Sequence, residues 1–202
     1  PAPPTDDRMI ALDPGHGGSD PGAIGNGLTE KVLTLDISNR LRDVLLARGW
    51  KVTMTRTRDV DVYQPNDSAR DELQARDDIA NAAGARLLVS VHINSYTSSW
   101  LNGTTTYYYK PDALPLAQAI HARLAAMLPT KDDGIQKANF YVIHHCTMPA
   151  VLVETAFLSN PGDAADLREP AFLQKVAIAI ADGVADYAGQ PTAGPATPSP
   201  GE

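Results

Sequence analysis

Two histidines and two glutamates stand where chemistry could be done. His16 sits in the run Asp13-Pro14-Gly15-His16-Gly17-Gly18, and His92 in Ser90-Val91-His92-Ile93-Asn94. Each follows an apolar stretch that reads as a strand, and Glu154 closes a third such stretch, 150–154. Glu30 lies three residues before Leu33 and seven before Ile37, so at helical spacing it shares their apolar stripe. A carboxylate on a buried face is costly unless it is paired or holds a metal. The blander account of Glu30 is a favourable charge at the positive end of its helix, worth about 0.3–1 kcal/mol. His16, Glu30 and His92 together make a two-histidine, one-carboxylate set. Catalytic zinc sites use three such ligands and leave the fourth position to water. The spacing is long and irregular, and each histidine taken singly fits a hydrogen-bonded core residue as well. Glu154, between Val151-Leu152-Val153 and Ala156-Phe157-Leu158, belongs in a partly buried cleft. There it could move a proton between attacking water and a leaving amine, or simply cap a helix or pair with a cation.

The elements that must position these residues alternate in type. Strands are expected at 9–13, 51–55, 86–93, 103–110, 139–143 and 150–154, and helices at 30–48, 69–83, 114–128 and 171–187. Thr29 is a candidate N-cap for the first helix and Gly49 its stop. This pattern predicts an α/β fold, a single domain whose mostly parallel, twisted sheet of about six strands carries helices on both faces. The stretch 103–110, with three tyrosines, is expected to be an antiparallel edge. Ligands of such sheets collect beyond the carboxyl ends of the strands, which is where His16, His92 and Glu154 stand.

The chain has 202 residues, 43% of them hydrophobic, which suits one globular domain. The net charge of -7 and the lack of a basic run argue against nucleic acid as a partner. No apolar run reaches the roughly 20 residues of a membrane span. A single cysteine, Cys146, excludes a disulfide framework or a multi-cysteine metal site. The domain is expected over 9–189, after a spacer at 1–8 and before a Pro/Ala/Thr-rich tail at 190–202. The spacer reads as what remains after a targeting segment is removed, which points to export, either periplasmic or extracellular.

Several motifs then occur in one order. Asp13-Pro14-Gly15-His16-Gly17-Gly18-Ser19-Asp20-Pro21-Gly22-Ala23 is followed by Gly27-Leu28-Thr29-Glu30-Lys31, Thr55-Arg56 with Asp59, and Leu73 with Arg76 and Ala80-Asn81. After these come Ser90-Val91-His92-Ile93-Asn94, then Met148-Pro149-Ala150-Val151-Leu152-Val153-Glu154, then Phe157-Leu158-Ser159-Asn160. The series resembles the zinc-dependent N-acetylmuramoyl-L-alanine amidases over residues 9–187, nearly the whole domain. The resemblance implies Zn2+ held by His16, Glu30 and His92, Glu154 as the catalytic glutamate, and peptidoglycan as the substrate. It implies cell-wall remodelling, daughter-cell separation or lysis as the role.

Many members of that family carry a long helical insertion after the second histidine, which blocks the metal until a partner removes it. Here 95–103 is too short for such a helix, so activity without a protein activator is expected; a monomer is expected as well. Tyr96 and Trp100 in that loop either line a groove for sugar or peptide or pack on the domain surface. Asn94 either orients a ligand from behind or caps the loop. His144 and His145 are expected on an extended chain, where at most one could face the site. His121 is expected on the surface of its helix, Arg56, Arg58 and Arg76 in ion pairs with acids such as Asp59, and Cys146 without chemistry. A zinc carboxypeptidase or other amidohydrolase acting on stem peptides would need the same metal site. A peptidoglycan-binding module on a decayed scaffold would lack one of the four residues, and all four are present. A nucleotide site is disfavoured, because the glycine loop lacks both the GxGxxG spacing and a Walker lysine.

Overall fold

The computed structural model describes residues 8–189, so the tail expected at 190–202 and all but Arg8 of the expected spacer lie outside the described residues. The chain runs β1 (Met9–Pro14), a small hairpin of β2 (Ile24–Gly25) and β3 (Leu28–Thr29), α1 (Glu30–Ala47), β4 (Lys51–Met54), α2 (Ala69–Ala82) and β5 (Leu87–Asn94). It continues with β6 (Thr104–Tyr108), α3 (Leu114–Met127), β7 (Asp132–Lys137), α4 (Tyr141–His144), β8 (Ala150–Phe157), α5 (Pro161–Leu167) and α6 (Pro170–Gly189). The sheet order is β4-β1-β5-β8-β6-β7. β4, β1, β5 and β8 are mutually parallel, β6 runs antiparallel to β8, and β7 is parallel to β6.

The central strands β1, β5 and β8 are apolar on both faces because both faces are covered. On one side α1, α3 and α6 pack around Ile10, Leu12, Val89, Val91, Val151 and Val153. On the other, α2 and α4 close over a smaller core of Ala11, Leu88, Ala150, Leu152, Ile143 and Met148. On α1, Leu33, Ile37, Leu41 and Leu45 point inward at four-residue spacing, and Glu30 is buried at the head of the same stripe. Burial of each Leu or Ile contributes about 1.5–3 kcal/mol, so the stripe fixes which way Glu30 points. The helix stops at Gly49, whose φ of 82° suits glycine. Thr29 precedes α1 in extended conformation but its side chain caps nothing; the Glu30 amide bonds Ala23 O at 2.9 Å instead.

Three expectations are corrected here. The segment 139–143 is not a strand: Tyr141–His144 is a short helix, and the strand lies earlier, over Asp132–Lys137. That strand, Asp-Asp-Gly-Ile-Gln-Lys, has no apolar alternation and exists through its pairing with β6. Because β7 covers it, β6 is antiparallel but not an edge. His121 is buried rather than on the surface; its Nε2 meets Asp132 Oδ1 at 2.8 Å and its Nδ1 meets Thr106 Oγ1 at 3.1 Å, tying α3 to the β6–β7 pair.

Candidate active site

The site is built at the carboxyl ends of β1, β5 and β8 and the amino end of α1. β1 ends at Pro14, and the Gly15 amide then donates to Val91 O at 3.0 Å, keeping the turn beside β5. A side chain at Gly15 would fall 2.3 Å from His92 Cε1, so only glycine lets this backbone pass the imidazole. His16 itself has a φ of 60°, a left-handed conformation that costs a non-glycine residue on the order of 1–3 kcal/mol.

Two buried arginines hold that turn in place. Arg76 Nη1 bonds Asp13 Oδ1 and Pro14 O, and its Nη2 bonds His16 O and Glu72 Oε1, all at 2.8 Å. Arg56 donates to Pro14 O, Gly15 O and Lys31 O at 3.0, 2.9 and 2.8 Å. The ion pairs expected for these residues hold for Arg76, but Arg56 works through carbonyl oxygens, and Asp59 pairs with Lys31 instead. Burial and the neighbouring Arg76 charge lower the Arg56 guanidinium to about 10.

His16, Glu30 and His92 come together as expected. One ligand atom of each lies within 4.8 Å of the others. Glu30 Oε1 is 3.1 Å from His16 Nε2 and 3.0 Å from His92 Nδ1. Glu30 Oε1 also accepts from the Ile93 amide, and Oε2 from the Ala23 amide, so its orientation is set from both sides. Asp20 Oδ2 takes the other nitrogen of His16 at 2.7 Å. A carboxylate behind a histidine is the usual way to fix which nitrogen faces a metal. Burial opposes the charge on His16, but Glu30 and then Asp20 outweigh it and raise the imidazole to about 9. Burial likewise opposes charge on Glu30, and the two imidazoles hold its carboxyl well below the usual range. So dense a pairing of one carboxylate with two histidines suits a cation between them. Tetrahedral zinc, with bonds of about 2.0–2.2 Å, needs ligand atoms roughly 3.3–3.6 Å apart, near the 3.1 and 3.0 Å that separate Glu30 Oε1 from the two imidazole nitrogens.

Glu154 pairs in register with His92 on β5 and with Thr105 on β6. Its Oε2 is buried and has no hydrogen-bond partner, so neither helix capping nor an ion pair accounts for that oxygen. Burial pushes the carboxyl up to about 7, against the lowering pull of His92. An open cleft of about 380 Å³ joins His16, Glu30, His92 and Glu154 to Asn94 and Phe140. Asn94 caps the following loop, accepting from the Ser95 amide at 2.8 Å. Tyr96 and Trp100 are not among the cleft's lining residues and are largely exposed. Phe140, backed edge-on by Tyr107 at 5.1 Å, lines the cleft and was missed because it falls in the misread strand 139–143. His144 and His145 stack on Tyr109 and Tyr141 away from the three ligand candidates. Cys146 is buried and its thiol raised to about 11 by burial, which leaves it inert.

The sequence and the fold both have counterparts among known proteins. A family described as N-acetylmuramoyl-L-alanine amidase matches residues 10–186. The chain is 42% identical over 184 residues to the N-acetylmuramoyl-L-alanine amidase LytC of Bacillus subtilis (strain 168), an alignment covering 89% of this chain but only 35% of LytC. It is 34% identical over 192 residues to the germination-specific N-acetylmuramoyl-L-alanine amidase of the same organism, covering 91% of this chain and 81% of that one. The solved catalytic domain of CwlV, an N-acetylmuramoyl-L-alanine amidase from Bacillus (Paenibacillus) polymyxa var. colistinus, superposes with a TM-score of 0.81 at 34% identity, covering 89% of this chain and 97% of that one. A match along nearly the whole described domain, in sequence and in fold, means that the chain belongs to the N-acetylmuramoyl-L-alanine amidase family and carries its catalytic domain.

Proposed function

We propose that this domain hydrolyses the amide between the lactyl group of N-acetylmuramic acid and the L-alanine of the peptidoglycan stem peptide, with Zn2+ held by His16, Glu30 and His92. The observation that carries the reading is Glu154: a buried oxygen without a partner, on a carboxyl raised to about 7, beside a three-ligand set. A bound zinc ion would polarise the scissile carbonyl and acidify water. Glu154 takes one proton from the attacking water as the new C–O bond forms at the lactyl carbonyl carbon. It returns that proton to the L-alanine nitrogen as the C–N bond breaks, and the second water proton, left on the new lactyl carboxyl group, passes to the departing amine, so the products are a lactyl carboxylate and an L-alanine ammonium. A carboxyl near 7 is suited to both halves, since a proton carrier works best near the operating pH. Arg56 and Arg76 hold the His16 turn, Asp20 and the Ile93 and Ala23 amides orient the ligands, and Asn94 fixes the start of the loop beside the cleft.

Action on peptidoglycan places the protein in the exported cell wall compartment, and no helix among the described residues is long and apolar enough to cross a membrane. The 95–103 connection is too short for an occluding helix of several turns, which supports a domain that acts without an activator. The purified domain is to be incubated with soluble muropeptides, with and without a chelator and with and without extract of the source cells. Turnover abolished by the chelator and unchanged by extract supports this reading. Turnover that is negligible until extract is added refutes constitutive activity.

A further inference from the structure

The loop 95–103 is the least explained part of the molecule. It joins β5 to β6, which lie on either side of β8, so it spans two strand spacings, about 9.6 Å, across the carboxyl end of the strand that carries Glu154. It is pinned rather than free. The Tyr96 amide bonds Ser159 Oγ at 3.1 Å, Asn160 Nδ2 bonds Ser99 O at 2.8 Å, and the Gly103 amide bonds Asp163 Oδ2 at 3.0 Å. On this fixed frame Trp100 is 89% exposed and Tyr96 60%. Neither ring contributes to either core.

The sequence of the loop, Ser-Tyr-Thr-Ser-Ser-Trp-Leu-Asn over 95–102, contains no charge in a chain whose net charge is -7. Rigid aromatic rings among small hydroxyl side chains give broad contact at low entropic cost with adaptable hydrogen bonding. The two halves of an N-acetylmuramoyl-L-alanine substrate differ chemically. The glycan strand offers the apolar C–H faces of pyranose rings, with hydroxyl and acetamido groups at their edges. The stem peptide offers carboxylates. An uncharged aromatic and hydroxyl surface complements the first and has no cation for the second.

We infer that the loop 95–102 is the glycan platform of this enzyme, with the Trp100 indole stacking on a pyranose ring of the strand next to the scissile N-acetylmuramic acid. The inference rests on the amidase reading above, because it takes the substrate from it. Trp100 is a positioning residue: it holds the strand and leaves the chemistry to the cleft. Trp100→Ala therefore raises KM on polymeric peptidoglycan about tenfold, a change equivalent to about 1.4 kcal/mol, with kcat unchanged. The same variant leaves the kinetics on a single N-acetylmuramoyl-peptide unaltered, since no neighbouring sugar is there to lose.

Binding is tested separately from turnover. The sequence holds two tryptophans, and the other, Trp50, follows α1 at the opposite end of the sheet. In a Trp50→Phe, Glu154→Gln protein Trp100 is the sole indole and the substrate is not consumed. Peptide-free strands of alternating N-acetylglucosamine and N-acetylmuramic acid should shift its emission to the blue and shield it from acrylamide. Free stem peptide should do neither. Shielding by the peptide, or by neither ligand, overturns the inference. Shielding by glycan in a protein whose wild type cuts no amide would instead refute the amidase reading and leave the platform standing.

Discussion

Asp77 gives a test that does not involve the active site. It sits on α2 beside Arg76, has no exposed surface, and neither of its carboxylate oxygens has a hydrogen-bond partner. Burial, aided by the charges of Asp13 and Asp78 and opposed by Lys110, raises its carboxyl from 3.8 to about 7. The unfolded chain thus ionises Asp77 first, while the folded chain keeps the proton. Stability falls as pH rises from about 4 to about 7 and the loss is complete above that. A difference of about 3 pH units corresponds to roughly 4 kcal/mol, an upper bound on the loss. Asp77→Asn keeps the shape and the unpartnered polar atoms but cannot ionise. It should match the wild type near pH 4 and exceed it at pH 8 by about 2–4 kcal/mol. At about 2–4 °C per kcal/mol for a domain of this size, that is a rise of about 4–16 °C in Tm. Urea melts of both proteins from pH 4 to 8, all with a chelator present, isolate the effect, because every other group cancels in the difference. A wild type and variant with parallel pH profiles, or a variant less stable at pH 8, would refute the reasoning.

Other consequences follow from the site. Gly15→Ala drives a methyl into the His92 ring and should weaken metal affinity about 10–100-fold while the fold survives, read by titration with a competing chelator and by circular dichroism. Asp20→Ala removes the carboxylate behind His16 and should cost metal affinity in the same range, with Asp20→Asn milder because it can still bond the imidazole. Glu154→Gln should keep its metal by elemental analysis yet lose about 10²–10⁴-fold in kcat; loss of the metal instead would make Glu154 a ligand.

The parts of this molecule legible in its sequence are those whose residues carry their own reason. β1, β5 and β8 announce themselves because strands buried on both faces must be apolar throughout, and α1 because Leu33 to Leu45 repeat at four-residue spacing. Glu30 was legible for a related reason, since a carboxylate heading an apolar stripe needs an explanation. β7 was not legible: its polar residues gain strand form only from a partner supplied by the fold. Phe140 followed that error, because the true strand ends at Lys137 and the chain then turns into α4. His121 looked like a surface residue because its partners, Thr106 and Asp132, lie on strands that sequence spacing alone does not bring to α3. The arginines were recognisable as structural, but carbonyl oxygens leave no mark in a sequence, so Arg56's grip on the His16 turn was invisible.

The central claim is about one bond, and the products identify it. Purified peptidoglycan, digested by the metal-loaded domain and resolved by mass spectrometry, should yield intact glycan strands with free lactyl carboxylates and stem peptides beginning with a free L-alanine amine. Chelated protein and Glu154→Gln should yield neither. Peptides shortened from their carboxyl ends while still attached to N-acetylmuramic acid would contradict the account and make the enzyme a carboxypeptidase.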